Sequence, residues 1–271
     1  MKIFKNKISL INEISNKKNI AFVPTMGAIH KGHLSLIKRA KKQSKEVLVS
    51  IYVNPKQFNL NSDFKKYPRN INKDINILRK IKIKYLYLPS NNDIYSFNPK
   101  ISIYLDKFSK KLCGKFRPGH FRGVINVVNR FIEIINPHSI FLGLKDFQQL
   151  ALIKFHVKKN KILTKIIPCK TIREENGMAL SSRNTKLKKN QIAIAGRIYR
   201  YLKNTKRKKI STNLKKERLN IISKLTLYGV KKIDYLEFIN IKTLTTPKKI
   251  TDNYNIFIAY YMGNVRLIDN L

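Results

Sequence analysis

The segment from Glu46 to Val53 restricts the fold of this 271-residue chain more than any other. It is an almost continuous apolar run that ends at Asn54-Pro55. A strand with apolar side chains on both faces is typical of the centre of a parallel sheet that helices cover on both sides. The run therefore predicts a domain of the α/β class.

Similar apolar runs alternate with helical patterns through the first part of the chain. Strands are expected at 19–23, 46–53, 85–88, 139–142 and 165–168. Apolar residues at helical spacing predict helices at 32–43, 71–80, 123–135 and 147–157. Strands and helices that alternate in this way form a parallel sheet with crossover helices, whose ligands bind at the carboxyl ends of the strands.

The pattern changes after residue 171. Two helices are expected at 187–204 and 212–228, followed by strands at 233–239, 255–262 and 265–268, with a hairpin turn at Met262-Gly263-Asn264. These elements predict a smaller α+β domain of residues 172–271 after an N-terminal domain of residues 1–171.

The chain carries 57 Lys and Arg against 15 Asp and Glu, a formal net charge of +42. Such a charge is typical of nucleic-acid-binding domains, which usually concentrate it on one face or tail. Here Lys occurs in almost every segment, and Lys, Asn and Ile share A/T-rich codons. We therefore favour compositional drift over a specific nucleic-acid partner. The densest basic run, Lys206 to Lys209, is expected to be a solvated loop between helices.

The cysteines and the apolar runs bear on cellular location. Cys113 and Cys169 alone cannot form a disulfide framework or a cysteine-rich zinc site, which favours a reducing compartment. No apolar stretch approaches the roughly 18 residues of a membrane-spanning helix, and the Lys-rich start does not resemble a secretory signal. We expect a cytoplasmic protein without a membrane partner.

The segment from Pro24 to His33 follows a predicted strand and opens a predicted helix. A helix N-terminus offers unpaired amide donors and a positive dipole end, which suit a phosphate group. His30 and His33 flank Gly32, and an imidazole there can donate to a phosphoryl oxygen. Gly27 and Gly32 have the spacing of a Walker A loop but lack its Lys, so that class of site is excluded. Two surface histidines near a turn are the alternative.

Two neutral amides follow the strand at 46–53. Asn54 and Gln57 can each donate and accept hydrogen bonds, which suits a small molecule that bears hydroxyl and carboxylate groups. The alternative is a simple turn in which the Asn54 side chain bonds to nearby backbone. Further along, Asp63 and Asp74 are either water-mediated Mg²⁺ ligands or ordinary surface acids.

Lys145 and Asp146 follow the strand at 139–142. A Lys here can contact nucleotide phosphates, and an Asp can hold Mg²⁺ directly or through water. Gln149 lies one helical turn from Lys145 on the same face. The alternative is an acidic residue that favours the helix dipole, beside a solvated Lys.

Ser181, Ser182 and Arg183 lie near the proposed domain boundary. Two hydroxyls and a guanidinium can clamp a polyphosphate, and the position favours a mobile element that closes over a nucleotide. The alternative is a helix cap with a surface Arg. A further polar loop from Arg117 to Gly123 precedes a predicted helix.

Together these blocks resemble the pantoate–β-alanine ligase family of the nucleotidyltransferase superfamily. Residues 24–33 resemble its version of the His-x-Gly-His motif, and Asn54 to Phe58 resemble its Asn-Pro-x-Gln-Phe segment. The later blocks follow in the order of that family, at 117–123, 143–149, 180–184 and 265–270. Such blocks in order over most of the chain are highly specific.

The resemblance implies a Rossmann-like N-terminal domain, a C-terminal lid and a homodimer. It implies that ATP and (R)-pantoate form a pantoyl adenylate with release of pyrophosphate, and that β-alanine then gives pantothenate and AMP. It also implies Mg²⁺, for which Asp146 is a candidate ligand.

Residue roles carry over by position. His33 would be the general acid, His30 would assist it, and Lys145 and Arg183 would supply further cationic donors. Pantoate or β-alanine would be bound by Gln57, Gln149 and Asn54. The ATP site would comprise Met26, Gly27, Ala28, Ile29, His30, Lys31, Gly32, His33, Gly143, Leu144, Lys145, Asp146, Ile172, Leu180, Ser181, Ser182 and Arg183.

Two positions depart from the family pattern. The family commonly has an acidic residue where Lys31 stands and Glu where Leu144 stands. We expect Lys31 to point outward. Leu144 is harmless if this position contacts ATP through its backbone, and it lowers activity if the Glu side chain orients Lys145. Two other functions stay open: another His-x-Gly-His nucleotidyltransferase, or a basic nucleic-acid-binding protein.

Overall fold

The computed structural model of the protein describes residues 1–207, 213–247 and 253–271. The chain divides into two compact units, Met1–Lys170 and Thr171–Leu271, each with its own sheet. Among the described residues, none of the helices is long and apolar enough to cross a membrane.

In its described residues, the N-terminal unit has a parallel sheet of six strands. They are β1 Lys2–Phe4, β2 Ala21–Thr25, β3 Val47–Ile51, β4 Tyr85–Tyr87, β5 Ser139–Gly143 and β6 Lys165–Cys169. Their order is β1-β4-β3-β2-β5-β6, with parallel pairing throughout. The predicted α/β class is confirmed, although β1 was not predicted. The strand order reverses between β2 and β5, and ligands bind at the carboxyl ends of strands beside such a reversal.

Helices connect these strands. They are α1 Lys7–Ile14, α2 Lys31–Gln43, α3 Asn61–Lys65, α4 Ile71–Lys80, α5 Asn91–Tyr95, α6 Cys113–Phe116, α7 His120–Ile135 and α8 Phe147–Lys159. Short 3-10 helices occur at Pro55–Gln57, Lys107–Lys110 and Leu144–Asp146. The four predicted helices are confirmed. Helix α7 begins earlier than expected, so the polar segment 117–123 is loop only as far as Gly119.

Burial of apolar residues at regular spacing fixes this packing. On α7, Val124, Val128 and Phe131 recur at helical spacing and are buried, and Phe131 packs edge-on against Phe22 of β2 with ring centroids 5.2 Å apart. In β3, residues 47–50 are each at most 2% exposed. This is the burial on both faces that the apolar run predicted, and full burial of each Val or Leu side chain contributes about 1.5–3 kcal/mol.

A buried polar network joins α7, α8 and the segment 101–104. The Nε2 atom of His156 on α8 lies 3.0 Å from Asn129 Oδ1 on α7, and its Nδ1 accepts from the Tyr104 N–H at 3.4 Å. Asn129 Nδ2 donates to the Ile101 carbonyl at 3.0 Å. Burial lowers the pKa of His156 to about 4. The ring is therefore neutral at physiological pH, and it links the three segments through one donor and one acceptor nitrogen.

The described part of the C-terminal unit packs two helices against a sheet of three antiparallel strands. The elements are α9 Lys189–Arg207, α10 Leu214–Leu227, β7 Lys232–Asn240, β8 Tyr254–Met262 and β9 Val265–Asn270, with the strands in the order β7-β8-β9. Ile221, Ile256 and Ile258 lie in their shared core and are fully buried. The predicted hairpin is confirmed, because Met262 pairs with Val265 and Gly263 supplies the positive φ of the turn.

The basic run at 206–209 differs in part from expectation. Lys206 and Arg207 form the last turn of α9 and not a loop, and cations at that end interact favourably with the helix dipole. Lys208 and Lys209 lie outside the described residues. The same holds for residue 212, where the second helix was expected to begin.

Candidate active site

One buried carboxylate holds the loop between β2 and α2. Gly27 and Ala28 have φ angles of +80° and +49°. The N–H groups of Ala28 and Ile29 donate to the two oxygens of Asp74, each at 2.8 Å, and Asp74 is only 2% exposed. A side chain at position 27 would also meet Asp74 Oδ2 at 2.9 Å, so both space and backbone conformation require glycine there. Of the two alternatives for Asp74, the ordinary surface acid is therefore wrong, because the carboxylate is buried and both its oxygens accept from this loop.

The two histidines of the His-x-Gly-His motif stack on each other at the start of α2. Their ring centroids are 4.1 Å apart. His30 caps the helix, since its Nδ1 accepts from the Gly32 N–H at 3.1 Å. The Nδ1 of His33 accepts in turn from the His30 N–H at 3.4 Å. Because both Nδ1 atoms accept, a neutral ring at either position carries its proton on Nε2.

The surroundings keep both histidines neutral. Burial is the main cause that lowers the pKa of His30 to about 4 and that of His33 to about 3, and the positive charge of Lys145 contributes in both cases. Asp146, with Oδ2 4.0 Å from Lys145 Nζ, acts in the opposite direction on His30. Lys145 and Asp146 follow β5. The segments after β2 and β5 therefore meet where the strand order reverses.

The amide segment after β3 reaches the same loop. Gln57 Nε2 lies 2.7 Å from the sulfur of Met26. Asn54 forms the simple turn considered above, accepting from the Lys56 N–H at 3.2 Å. It also donates from Nδ2 to Gln57 Oε1 at 3.3 Å and accepts from the Tyr95 hydroxyl at 2.9 Å. Asn54 is buried and committed to partners within the protein, whereas its neighbour Gln57 adjoins the histidine loop.

The segment from Arg117 to Gly123 supports Gln57 from behind. The Gln57 carbonyl accepts from His120 Nδ1 at 2.7 Å and from Arg117 Nη2 at 3.2 Å. Gly123 lies against the neighbouring residue, since a Cβ there would be 2.0 Å from the Lys56 carbonyl oxygen. Sequence reasoning missed this role. The signal available to it was the cluster of Arg, His and Gly residues just before a helix.

The neighbouring residues Gln148 and Gln149 at the start of α8 differ in burial and in hydrogen bonding. Gln148 is buried, donates to the carbonyls of Phe108 and Lys111 at 2.7 Å each, and accepts from the Cys113 N–H at 3.0 Å. Gln149 is only partly buried. Among the described residues, the partners that hold the Gln148 side chain do not bond to the Gln149 side chain. Gln149 is therefore the better placed of the two to bind a ligand.

The predicted clamp at 180–183 lies in the C-terminal unit. The Leu180 N–H donates to the Ile172 carbonyl at 3.0 Å, which brings these two predicted ATP contacts together. Ser181 Oγ accepts from the Arg183 N–H at 3.3 Å and caps a 3-10 helix at Ser182–Lys186. The helix cap considered as an alternative is therefore present. A cap formed by Ser181 leaves the Ser182 and Arg183 side chains to other partners.

The chain is similar to known pantothenate synthetases over almost its whole length. The family model described as Pantoate-beta-alanine ligase matches residues 2–271. The pantothenate synthetase of Pseudothermotoga lettingae is 38% identical over 264 residues, which cover 96% of this chain and 94% of that protein. The pantothenate synthetase of Francisella tularensis subsp. novicida is 41% identical over 268 residues, which cover 97% and 92%.

Two crystal structures are similar over the whole chain. One is pantothenate synthetase from Thermus thermophilus, with a TM-score of 0.91, 30% identity, and coverage of 100% of this chain and 99% of that one. The other is pantoate-beta-alanine ligase from Francisella tularensis, complexed with beta-gamma ATP and beta-alanine. Its TM-score is 0.83 at 39% identity, with coverage of 100% and 97%.

Proposed function

The chain belongs to the pantoate–β-alanine ligase family and is an ATP-dependent ligase, and we propose how its residues share the two-step reaction. A carboxylate oxygen of (R)-pantoate attacks the α-phosphorus of ATP, and the bond to pyrophosphate breaks. The amine of β-alanine then attacks the acyl carbon of the pantoyl adenylate and loses a proton, and AMP leaves. Neither alternative function is favoured by the family match.

The observation that carries the assignment is the stacked histidine pair at the start of α2. The N-terminus of α2 attracts the phosphates of ATP. His30 and His33 donate from Nε2 to the phosphoryl oxygens on which negative charge grows as pyrophosphate leaves. With a pKa of about 3, His33 acts as a neutral hydrogen-bond donor. The general-acid role that the resemblance implied for His33 stays a prediction, because the negative charge of bound ATP would raise this pKa.

Lys145 adds positive charge to the same phosphates, and the nucleotide would bring Mg²⁺ with it. Among the described residues, no group of three or more His, Cys, Asp or Glu side chains could hold a metal ion unaided. Mg²⁺ bound with a nucleotide takes most of its ligands from phosphates and water, so one exposed carboxylate is enough on the protein side. Asp146 is such a carboxylate. Bound there, Mg²⁺ would neutralise phosphate charge, with Asp146 as its protein ligand directly or through water.

Gln57 and Gln149 hold pantoate through their side-chain amides, which match its hydroxyl and carboxylate groups. Asn54 acts on pantoate indirectly, through Gln57. Its side chain bonds to Gln57 and to the backbone of α7, so it orients Gln57. Arg117 and His120 fix the backbone of the same residue.

Residues 172–271 act as the lid. The backbone of Ile172 and Leu180 contacts ATP, and Ser181, Ser182 and Arg183 bind its phosphates. Closure excludes water, which protects the adenylate from hydrolysis. Lys31 is exposed, as expected, so its positive charge faces solvent. At Leu144 the nucleotide contact is made by the backbone.

Release of AMP tests the proposal. With ATP, Mg²⁺ and (R)-pantoate, AMP release is expected to depend on β-alanine. His33→Ala should lower turnover about 10²–10³-fold, the usual loss for a transition-state donor. His138→Ala, a change at an exposed histidine of the same unit, should leave turnover unchanged. Full turnover in His33→Ala would remove this residue from the mechanism. Turnover by the folded protein with a different acceptor acid alone would point to another nucleotidyltransferase.

We further propose a cytoplasmic homodimer. Cys113 and Cys169 are both buried, as expected of thiols kept under reducing conditions. The dimer follows from the family resemblance. Light scattering after gel filtration should give twice the 31.7 kDa of one chain, and a mass of one chain would refute it.

A further inference from the structure

A cavity of about 370 Å³ lies within the C-terminal unit, beside α9. Its walls are formed by Arg173, Tyr199, Lys203, Lys206, Arg207 and Leu271. The α9 residues among them recur at spacings of three and four, so they share one face of the helix. None of these six residues belongs to the proposed ATP or pantoate sites. We name this feature the α9 cavity.

The walls are more basic than the chain as a whole. Lys and Arg make up 57 of 271 residues, about a fifth, yet they are four of the six residues around the α9 cavity. Four cations around one concave space therefore set this place apart from the average composition.

Among the residues that the structure describes, acidic side chains match only one of these cations. Arg173 forms a double hydrogen bond to Asp269 at 2.6 and 2.9 Å and lies over the Tyr199 ring, 4.0 Å from its centroid. In the described part of the chain, none of the ion pairs involves Lys203, Lys206 or Arg207. The two remaining residues, Tyr199 and Leu271, carry no acidic side chain. The walls therefore keep a net positive charge.

The positive charge of Lys206 is destabilised by partial burial. Its ammonium is half-buried and donates to Asn255 Oδ1 at 2.9 Å, a neutral acceptor. Burial lowers the pKa of Lys206. An anion in the α9 cavity would provide the opposite charge that this group lacks and would stabilise its protonated form.

We propose that the α9 cavity is a second anion site of this protein, which binds a small molecule bearing several phosphate groups. Ammonium and guanidinium donors together match phosphate oxygens in charge and geometry. The volume of about 370 Å³ admits a short polyphosphate or a phosphorylated metabolite.

Inorganic tripolyphosphate is the probe, measured by isothermal titration calorimetry at about 0.15 M salt to suppress non-specific attraction. The protein carries Lys145→Ala throughout, so that binding at the ATP site is weakened. In this background we expect one tripolyphosphate per chain. Adding Lys203→Gln and Lys206→Gln should weaken binding at least about tenfold, because two charge-assisted contacts are lost.

Lys215→Gln with Lys216→Gln is the matched control, since it removes the same charge from two exposed lysines at the start of α10. It should change the dissociation constant less than about twofold. Equal weakening by the two pairs, or no binding at this salt concentration, would overturn the proposal. Lys203→Gln with Lys206→Gln in the otherwise unchanged protein should keep normal AMP release, which shows that the fold is intact.

Discussion

Replacement of Asp74 by Asn tests whether the loop between β2 and α2 depends on its buried carboxylate. The change keeps the size of the side chain but turns one acceptor oxygen into an NH₂ donor. In the native protein the two oxygens accept from Ala28 and Ile29 at 2.8 Å each. In Asp74→Asn one of these amides would face another donor, so a buried N–H group loses its partner.

The size of the effect follows from this geometry. A buried donor left without a partner costs about 1–3 kcal/mol, and we expect a loss of about 2 kcal/mol in the free energy of unfolding. The alternative is movement of the loop, which carries the histidine pair. Displacement of catalytic groups by about 1 Å can lower a rate about 10²-fold. Since the loop belongs to the proposed ATP site, the KM for ATP should rise as kcat falls.

The assays are urea unfolding followed by circular dichroism, and AMP release at varied ATP and varied pantoate. Asp93→Asn is the control. Asp93 also accepts from backbone, the Lys7 N–H at 2.9 Å, and from the Tyr87 hydroxyl, but it belongs to no proposed site. It should lose stability with an unchanged KM for ATP. If Asp74→Asn has normal kinetics, or loses no more activity than Asp93→Asn, the loop does not depend on this carboxylate.

Three further results are expected. Gln57→Ala should raise the KM for pantoate more than that for ATP, because substrate polar groups lose a partner; an unchanged KM for pantoate would contradict the assignment. Gly123→Ala forces its new Cβ into the Lys56 carbonyl and should lower both stability and activity, whereas Gly143→Ala, with open space around it, should leave thermal stability unchanged. Burial lowers the pKa of His156 to about 4 in the folded protein, against roughly 6.5 in the unfolded chain. The unfolded protein therefore takes up the proton first, and the free energy of unfolding falls as the pH drops from about 6.5 to 4. This slope, measured by urea unfolding, should be shallower in His156→Gln, and equal slopes would contradict the burial argument.

The sequence predicted the elements whose signal is local. The strand at 46–53 was visible as an apolar run and α7 as a helical repeat, because burial imposes those patterns on neighbouring residues. Strand β1 was missed because it spans three residues and includes Lys2. Its position depends on pairing with β4, far along the chain. Short-range patterns therefore predicted five strands of this sheet but not β1, the strand at one of its edges.

The candidate site divides in the same way. The His-x-Gly-His motif and the segments after β3 and β5 are continuous in sequence and could be singled out. The contacts that hold them in place could not be: Asp74 lies 46 residues from Ala28, and His120 lies 63 residues from Gln57. Each bonds to backbone, which any residue type offers, so the sequence of the partner holds no trace of the contact.

Arg117 and His120 bond to the backbone of Gln57, so the support of this segment is separate from the side chain that would bind substrate. Arg117 and His120 hold the main chain at position 57 and do not contact its side chain through these bonds. These two bonds do not depend on which side chain stands at position 57, whereas the bonds to Asn54 and Met26 do. Under the role proposed for Gln57, an exchange of this one side chain would change the acid that the enzyme accepts while Arg117 and His120 still hold the backbone beneath it.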